Sequence, residues 1–355
     1  MCFGDNEVLR RIRGYFGFGR NRSSADSTMV VGVEVPKLKM NDGNYMPAIA
    51  LGTYLGFGKD GPIKSENNML HDAIIHALNA GYRHIDTAAI YNTEAEIGEA
   101  LRMKLASGEI KREDLFITTK LWNTDHKREE VMEAMKESLT KLGLSYVDLY
   151  LMHWPMGLNE DYSHSDTDYI ETWRGMEDVQ RLGLAKSIGV SNFNKEQLTR
   201  LLREAEIKPT ALQIEVHPQI IQTELVQFAH SEGIVVMGYS PFGALVMRYG
   251  MELPGPRFTD LRLADVAKKY RKTPAQVALR WLVDRNIVPI PKSVNPKRLE
   301  ENINIFDFKL APEEINRIND YNSNTRYTLP SFWQDHPYYP FEKIASPAAN
   351  PFLRD

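Results

Sequence analysis

The feature that most restricts the possible folds is a regular alternation of short apolar runs with longer amphipathic stretches. Eight runs have the composition and length of buried β-strands, at residues 49–53, 84–87, 115–120, 147–153, 187–191, 212–216, 235–240 and 288–291. Strands that alternate with helices in this way pair in parallel sheets, whose connecting helices cover them. The alternation therefore predicts an α/β protein built from repeated strand–helix units.

The stretches between the runs have the 3.6-residue period of amphipathic helices. They are 67–80, 93–105, 128–142, 169–182, 195–205, 223–232, 261–284, 296–302 and 312–319. Several end at a glycine, as at Gly81 and Gly143, and a glycine just past the last periodic residue is the usual helix stop. A turn at 41–44 containing Asp42-Gly43 predicts a hairpin before the first unit. We therefore predict a single (β/α)8 TIM barrel with an N-terminal β-hairpin and a C-terminal loop tail.

A doubly wound sheet also alternates strands and helices. It usually carries G-x-G-x-x-G directly after its first strand, where a helix begins. Here the first run is followed by Gly52-Thr-Tyr-Leu-Gly-Phe-Gly58, which does not open a helix at that spacing. The barrel is therefore the better interpretation.

Composition limits the class of protein and its location. The chain has 355 residues with 43 basic and 47 acidic side chains, a net charge of −4. A nucleic-acid or membrane-surface binder would need a basic excess, so neither partner is expected. No apolar run is long enough to cross a membrane. Cys2 is the only cysteine, which excludes a disulfide framework and favours the cytoplasm.

Two segments of different character divide the chain. Residues 1–30 are rich in arginine and serine, and we expect a disordered or loosely attached extension, with an organellar transit peptide as the alternative. Residues 31–355 are expected to form the barrel. We find no linker within this second segment.

Four titratable residues lie at or just after the C-terminal ends of three consecutive predicted strands. They are Asp86, Tyr91, Lys120 and His153. Each alone has an ordinary structural explanation, such as a helix cap or a satisfied core histidine. A lysine at the end of a buried strand, however, needs a partner, and Asp86 on the adjacent strand supplies one. Active sites of barrel enzymes gather at these strand ends, so the four residues predict a catalytic site.

Seven short motifs lie at or near the ends of the predicted strands. They are Gly81-Tyr-Arg-His-Ile-Asp-Thr-Ala, Lys120-Leu-Trp, Tyr146-Val-Asp-Leu-Tyr-Leu-Met-His-Trp-Pro, Ile188-Gly-Val-Ser-Asn-Phe193, Gln213-Ile-Glu-Val-His-Pro218, Gly238-Tyr-Ser-Pro241 and Ile290-Pro-Lys-Ser293. With these motifs in this order, the chain resembles the aldo-keto reductase superfamily over about residues 33–341, and within it insect ecdysteroid and carbonyl reductases. The resemblance implies the barrel fold, NADPH as cofactor and reduction of aldehydes or ketones to alcohols.

The resemblance also assigns roles to the four residues. Tyr91 would be the general acid that protonates the carbonyl oxygen. Lys120 would lower the pKa of this phenol, which is about 10 when free. Asp86 would hold Lys120 in place and charged, and His153 would orient the substrate carbonyl by a hydrogen bond.

Further residues match the cofactor-binding positions of the family. The nicotinamide carboxamide would be bound by Ser191, Asn192 and Gln213, and its ring would stack on Tyr239. The pyrophosphate would lie near Ser240 and Phe242. The nicotinamide ribose would lie near Gly52, Thr53 and Asp86. Lys292, Ser293, Asn295 and Arg298 would clamp the adenosine 2′-phosphate, and Glu301 and Asn302 would contact the adenine. Without the resemblance, residues 292–298 would be a solvated basic helix start. An arginine fork suits a phosphate, which favours NADPH over NADH.

Aromatic residues are the candidates for the substrate pocket. Tyr54, Trp122 and Trp154 would line it beside His153, together with the tail at 332–339. The segment 153–173 looks short for the family, which would leave a wide mouth for a bulky ketone such as a 3-dehydroecdysteroid. Tyr162-Ser-His-Ser-Asp166 and Pro241-Phe-Gly-Ala244 resemble insect ecdysteroid reductases.

Two other classes of function remain open from the sequence. A catalytically silent NADPH-binding regulatory or structural protein can use the same barrel, and the intact set of four residues argues against it. A metal-dependent hydrolase is disfavoured, because Glu215 and His217 lie near a strand end without the further ligands of a metal site. We expect a small-molecule carbonyl substrate, no metal and a monomer.

Overall fold

A computed structural model describes residues 33–58, 61–246 and 255–352 of the chain. The predicted extension at 1–30 lies outside these residues. The described chain begins with the predicted hairpin, in which β1 (Lys37–Lys39) pairs antiparallel with β2 (Tyr45–Pro47). Its turn is fixed by Asp42, whose Oδ1 accepts a hydrogen bond from the backbone N–H of Asn44 at 3.0 Å.

Eight parallel strands follow, and each pairs with its neighbour in chain order. They are β3 (Leu51–Gly52), β6 (His84–Asp86), β7 (Phe116–Leu121), β8 (Val147–Met152), β9 (Ala185–Ser191), β10 (Ala211–Glu215), β11 (Val235–Tyr239) and β12 (Ile287–Ile290), while β4 (Phe57–Gly58) and β5 (Gly61–Pro62) form a separate small hairpin. The first and last barrel strands meet through backbone hydrogen bonds from Ala50 to Pro289 at 3.1 Å and from Gly52 to Pro291 at 3.0 Å. The predicted barrel is confirmed.

Ten α-helices lie in the described chain, most of them between the strands. They are α1 (Met69–Ala80), α2 (Glu94–Ala106), α3 (Arg128–Leu142), α4 (Tyr169–Arg181), α5 (Lys195–Glu204), α6 (Thr223–Ser231), α7 (Leu261–Tyr270), α8 (Pro274–Asp284), α9 (Pro296–Ile303) and α10 (Pro312–Asn319). They match the predicted stretches to within about two residues at each end, with one difference.

The stretch 261–284, predicted as one helical segment, is two helices. Arg271 has a φ of 55°, which ends α7 in the left-handed region. Thr273 then caps α8, with its side chain accepting a hydrogen bond from the N–H of Gln276, and Pro274 occupies the first turn. Proline suits that position because its missing N–H has no partner in the first turn of a helix.

The core lies on both sides of the strands. In β8, Tyr150 and Met152 pack with the residues of the covering helices, whereas Leu149 and Leu151 pack with a second cluster that includes Met237 and Val288. This alternation follows from the two-residue period of a strand that is buried on both faces. The C-terminal ends of all eight strands are thereby held at one end of a closed, packed barrel. Within the described part of the chain, no helix is long and apolar enough to cross a membrane.

Candidate active site

The four titratable residues come together at the C-terminal end of the barrel. Asp86 is the last residue of β6, Lys120 is the penultimate residue of β7, and His153 directly follows β8. Tyr91 ends a short 3-10 turn, Ala89–Tyr91, on the loop after β6. Lys120 is at the centre, since its Nζ donates hydrogen bonds to Asp86 Oδ1 at 2.7 Å and to the Tyr91 hydroxyl at 3.3 Å.

The Lys120–Asp86 ion pair is fully inside the protein. The side chain of Lys120 has 0% exposure and that of Asp86 has 4%. The ammonium donates a third hydrogen bond to the carbonyl oxygen of Thr87 at 2.8 Å, and the second oxygen of Asp86 accepts one from Gln213 Nε2 at 2.7 Å. Burial lowers the pKa of Lys120, and Asp86 opposes that shift. Both charged groups therefore depend on their mutual contact.

The pKa of Tyr91 differs from the sequence-based expectation. Burial raises this pKa well above its ordinary value, and the negative charge of Asp86 acts in the same direction. The expected lowering by Lys120 is therefore wrong for the free protein, because the expectation did not include the cost of burying a phenolate. Tyr91 holds its proton at neutral pH, as a proton donor must.

His153 lies beside the phenol as a neutral ring. Its centroid is 5.7 Å from that of Tyr91 and 5.3 Å from that of Trp122, both in edge-to-face arrangements. Burial lowers the pKa of His153 well below its ordinary value, and the charge of Lys120 lowers it further. Its Nδ1 is buried without a hydrogen-bond partner among the described residues. The neutral imidazole can therefore donate a hydrogen bond to a ligand, or accept one from it, without carrying a positive charge.

The residues predicted for the nicotinamide form one hydrogen-bonded group beside the ion pair. Asn192 Nδ2 donates to the carbonyl oxygen of His153 at 3.0 Å, and the Tyr239 hydroxyl donates to Asn192 Oδ1 at 2.8 Å. Ser191 Oγ donates to the carbonyl oxygen of Gln213 at 2.9 Å. These side chains lie together as predicted, but they already bind one another, and the Gln213 amide binds Asp86. A carboxamide bound here would use their remaining hydrogen-bonding capacity.

The residues predicted for the ribose and pyrophosphate border the same end of the barrel. Thr53 is buried and donates from both N and Oγ1 to the carbonyl oxygen of Asp86, at 3.1 and 3.0 Å. Gly52 lies close to the last strand, where an added Cβ would be 3.1 Å from Ile290 Cγ2. Ser240 and Phe242 are half-buried after β11. Ser240 has a φ of 50°, so the chain turns sharply at this point.

A basic group of residues lies at the start of α9. Lys292 and Arg298 are exposed, and neither side chain makes a hydrogen bond or ion pair with any residue that the structure describes. Desolvation lowers the pKa of Lys292, which an anion would offset. Cationic side chains at a helix N-terminus have the chemistry of a phosphate site. The residues present therefore fit the phosphate end of NADPH.

The neighbours of the two cations have more local roles than the sequence suggested. Asn295 Oδ1 accepts a hydrogen bond from the N–H of Arg298 at 3.1 Å, so this side chain is the N-cap of α9, while its Nδ2 keeps the donors that a phosphate would use. Ser293 Oγ accepts from the N–H of Asn295 at 3.1 Å. Glu301 is half-buried and Asn302 is buried one turn further along.

The predicted substrate residues border the mouth of the barrel. Tyr54 is 44% exposed, and its ring is 5.0 Å from that of Tyr91. Trp122 and Trp154 belong to an aromatic cluster with Trp333 from the tail. Sequence reasoning missed Tyr162 as a pocket residue and Phe352 altogether, although both rings lie in this cluster. The density of aromatics after residue 331 was the available signal.

A closed parallel barrel thus holds a buried lysine–aspartate–tyrosine group and a neutral histidine together at the C-terminal ends of its strands. The chain belongs to the aldo/keto reductase family, whose model matches residues 48–323. It is 48% identical over 308 residues to the aldo-keto reductase AKR2E4 of Bombyx mori, covering 87% of this chain and 99% of that protein. It is 41% identical to aldo-keto reductase family 1 member A1-A of Danio rerio, covering 86% and 98% of the two chains.

Solved structures agree with these relationships. The crystal structure of AKR2E4 in complex with NADP has a TM-score of 0.84 and 47% identity, covering 87% of this chain and 100% of that one. The silkworm AKR2E5 complexed with NADPH has a TM-score of 0.87 and 41% identity, covering 91% and 98%. The predictions of the family and of an NADP-dependent oxidoreductase are confirmed.

Proposed function

We propose that this protein reduces aldehydes and ketones to alcohols with NADPH, and that Tyr91 is the general acid. The observation that carries the proposal is the position of Lys120 Nζ, 2.7 Å from Asp86 Oδ1 and 3.3 Å from the Tyr91 hydroxyl. A buried cation next to a protonated phenol is suited to receive the negative charge that the phenol acquires when it gives up its proton.

When bound, NADPH supplies the hydride for the carbonyl carbon. The Tyr91 hydroxyl then gives its proton to the carbonyl oxygen, on which negative charge develops. The N–H of Lys120 donates to the resulting phenolate, and Asp86 keeps the ammonium charged inside the protein. His153, held neutral by burial, donates a hydrogen bond that orients the carbonyl.

For the cofactor, the chain offers two groups of residues. Lys292 and Arg298 would bind the 2′-phosphate, with Ser293 beside them and Asn295 keeping the start of α9 in place. Glu301 and Asn302 would lie along the adenine. The nicotinamide would be held beside Tyr91 by Ser191, Asn192, Gln213 and Tyr239. The connecting ribose and pyrophosphate would be held by Gly52, Thr53, Ser240 and Phe242. The complexes of AKR2E4 with NADP and of AKR2E5 with NADPH support this choice of cofactor.

The substrate we propose is an apolar carbonyl compound, and in particular a bulky ketone such as a 3-dehydroecdysteroid. Trp122, Trp154 and the exposed ring of Tyr54 provide apolar surface next to the phenol. A mouse relative named estradiol 17 beta-dehydrogenase 5 is 39% identical over 318 residues, which supports a steroid-sized substrate. A monomer in the cytosol, with residues 31–355 as its one barrel domain, completes the proposal.

The decisive experiment for the general acid is Tyr91→Phe. We expect kcat for 4-nitrobenzaldehyde to fall by about 100- to 10,000-fold, because that is the range a positioned acid contributes. NADPH affinity, measured by fluorescence titration, should be nearly unchanged. Tyr54→Phe is the matched control, since it removes a hydroxyl from the adjacent ring and should retain activity. Turnover of Tyr91→Phe near that of the wild type would show that another group donates the proton.

The same assay separates the enzyme from the catalytically silent alternative. Wild-type protein that binds NADPH tightly but oxidises it with neither aldehyde nor ketone would support the alternative. The proposal of a bulky substrate is tested by comparing a 3-ketosteroid with 4-nitrobenzaldehyde, and absence of steroid turnover would contradict it.

A further inference from the structure

An aromatic ring from the C-terminal tail lies in the mouth of the barrel. Phe352 is half-buried, and its ring centroid is 4.8 Å from Tyr162 and 5.3 Å from Trp333, with interplanar angles of 22° and 15°. It is also 4.9 Å from Phe57 and 5.8 Å from Trp122. One ring thus connects four aromatic residues that are distant in the sequence. We call these five residues the aromatic clasp.

The members of the clasp show where Phe352 lies. Phe57, Trp122 and Tyr162 stand on the segments that follow the first, third and fourth barrel strands. Such segments form the rim around the C-terminal end of a barrel. A ring in contact with all three lies over the opening. Trp122 in turn is 5.3 Å from His153, so only one ring separates Phe352 from the candidate catalytic group.

Before Phe352, the tail is attached to α5, where Gln197 Nε2 donates to the carbonyl oxygen of Tyr338 at 2.9 Å, and further along it is bound to its own first turn. Gln334 Oε1 accepts from the N–H of Ile344 at 2.9 Å, and Ser331 Oγ accepts from the N–H of Ala348 at 2.9 Å. Beyond Ala348, the described residues form a hydrogen bond within their own segment, from the N–H of Phe352 to Asn350 Oδ1 at 3.0 Å. Residues 349–352 are therefore held over the mouth by ring contacts of Phe352, and these four residues have no hydrogen bond to the barrel among the residues that the structure describes.

The partner ring on the opposite segment is held in an unusual conformation. Tyr162 has a φ of 61°, a left-handed conformation that bulky residues rarely adopt. Its loop is fixed by the hydrogen bond from the N–H of Tyr162 to the carbonyl oxygen of Asn159 at 2.9 Å, and by Asp161 Oδ1, which accepts from the N–H of Ser163 at 2.9 Å. Strain of this kind concentrates at functional sites. Here it accompanies the stacking of Tyr162 on Phe352.

We propose that Phe352 is a specificity-determining residue that occupies the place of a substrate's apolar substituent. A bulky ketone must displace this ring to reach Tyr91, whereas a small aldehyde reaches Tyr91 with the ring in place. The inference rests on the proposed function, because it concerns access to the same site. It adds that the occupant competing with large substrates is a segment of the chain itself.

The kinetic test compares Phe352→Ala and a chain ending at Ala348 with the wild type. We expect kcat/KM for a 3-ketosteroid to rise roughly five- to tenfold in both, since displacing a half-buried phenyl ring has a cost of this order. The value for 4-nitrobenzaldehyde should change less than twofold. Ile344→Ala is the matched control, because it removes an exposed apolar side chain from the same tail outside the clasp. An unchanged or lower kcat/KM for the steroid would overturn the proposal, the lower value showing that Phe352 is a wall of the binding site.

A second measurement keeps the proposal testable if no carbonyl compound is reduced. Titration with an anilinonaphthalene sulfonate dye reports access to the apolar pocket without turnover. Phe352→Ala should bind the dye several-fold more tightly than wild type, and Ile344→Ala should not. Equal dye affinity in wild type and Phe352→Ala would overturn the displacement model. Failure of every variant to oxidise NADPH would overturn the proposed function and leave the dye result to decide on Phe352.

Discussion

Replacing Asp86 by asparagine tests whether Lys120 is held charged inside the barrel. The substitution keeps the size of the side chain and removes the only negative charge within hydrogen-bond distance of the ammonium among the described residues. Breaking a buried ion pair from one side costs about 3–5 kcal/mol, because the remaining charge is left uncompensated. The ammonium can limit this cost by losing its proton.

The cost of removing this proton depends on pH and sets an upper bound on the destabilisation. Deprotonating a lysine below its free pKa of about 10.4 costs about 1.4 kcal/mol per pH unit, so the destabilisation is at most about 5 kcal/mol at pH 7 and about 2 kcal/mol at pH 9. In Asp86→Asn, burial lowers the folded-state pKa of Lys120 without opposition, and the unfolded chain binds the extra proton. The stability of this variant should therefore rise with pH below about 10, by about 1.4 kcal/mol per unit relative to wild type.

The assay is urea unfolding followed by tryptophan fluorescence at several pH values between 7 and 9. The double variant Asp86→Asn/Lys120→Met should regain most of the stability and lose the pH slope, since it no longer holds a buried cation. Both variants should be inactive, which separates stability from catalysis. Asp148→Asn is the matched control, because its partner Arg112, 2.7 Å away, cannot lose its proton in this range, and its second partner Lys186, at 3.3 Å, is exposed and stays charged in water. A single Asp86→Asn variant that is destabilised by less than about 1 kcal/mol, with no slope, would refute the reasoning.

Three further predictions concern the cofactor, the histidines and the acid. Arg298→Ala should weaken NADPH binding roughly tenfold or more with little effect on NADH, measured by fluorescence titration, and equal weakening would show that Arg298 does not contact the 2′-phosphate. Burial lowers the pKa of His126 to about 3, so its contribution makes the fold less stable as the pH falls from about 6.5 towards 3, and His126→Leu should reduce the slope of unfolding free energy by about 1.4 kcal/mol per pH unit in acid urea titrations. Because the pKa of Tyr91 is raised and that of His153 is lowered, kcat for reduction should be flat between about pH 6 and 9, and an inflection near 6.5 would contradict a neutral His153.

The barrel and the location of the site could be predicted from the sequence because both depend on local patterns. Buried parallel strands are short apolar runs, helices end at glycines, and the C-terminal ends of parallel strands meet at one end of the sheet. Asp86 is paired with Thr118 on the adjacent strand, and Lys120 lies two residues further on the same face, where its long side chain reaches Asp86 at 2.7 Å. The boundary missed within 261–284 also had a local signal, the Thr273-Pro274 pair at the start of α8.

The electrostatics of the site depended on information that no local pattern contains. A lysine next to a tyrosine lowers the pKa of the phenol when its charge is the main influence, and this effect alone underlies the sequence-based expectation for Tyr91. In the folded protein the cost of burying a phenolate outweighs this effect, and the pKa rises. Residue types and their order identify which groups meet, but the sign of a pKa shift depends on how much water each group keeps.

The mouth of the site was the least predictable part from the sequence, because its contacts join segments that are far apart in the chain. Phe352 contacts residues on loops that lie up to 295 positions away in the chain, such as Phe57. No periodicity or spacing in the sequence connects them, because the contacts form only after the barrel has set the distances between the segments around its mouth. The positions of the groups to which we assign the chemistry therefore follow from the strands, whereas the positions of the groups that we propose select the substrate follow from how the tail folds back on the barrel. Substitutions in the tail should accordingly change the choice of substrate while leaving the Lys120–Asp86–Tyr91 geometry intact.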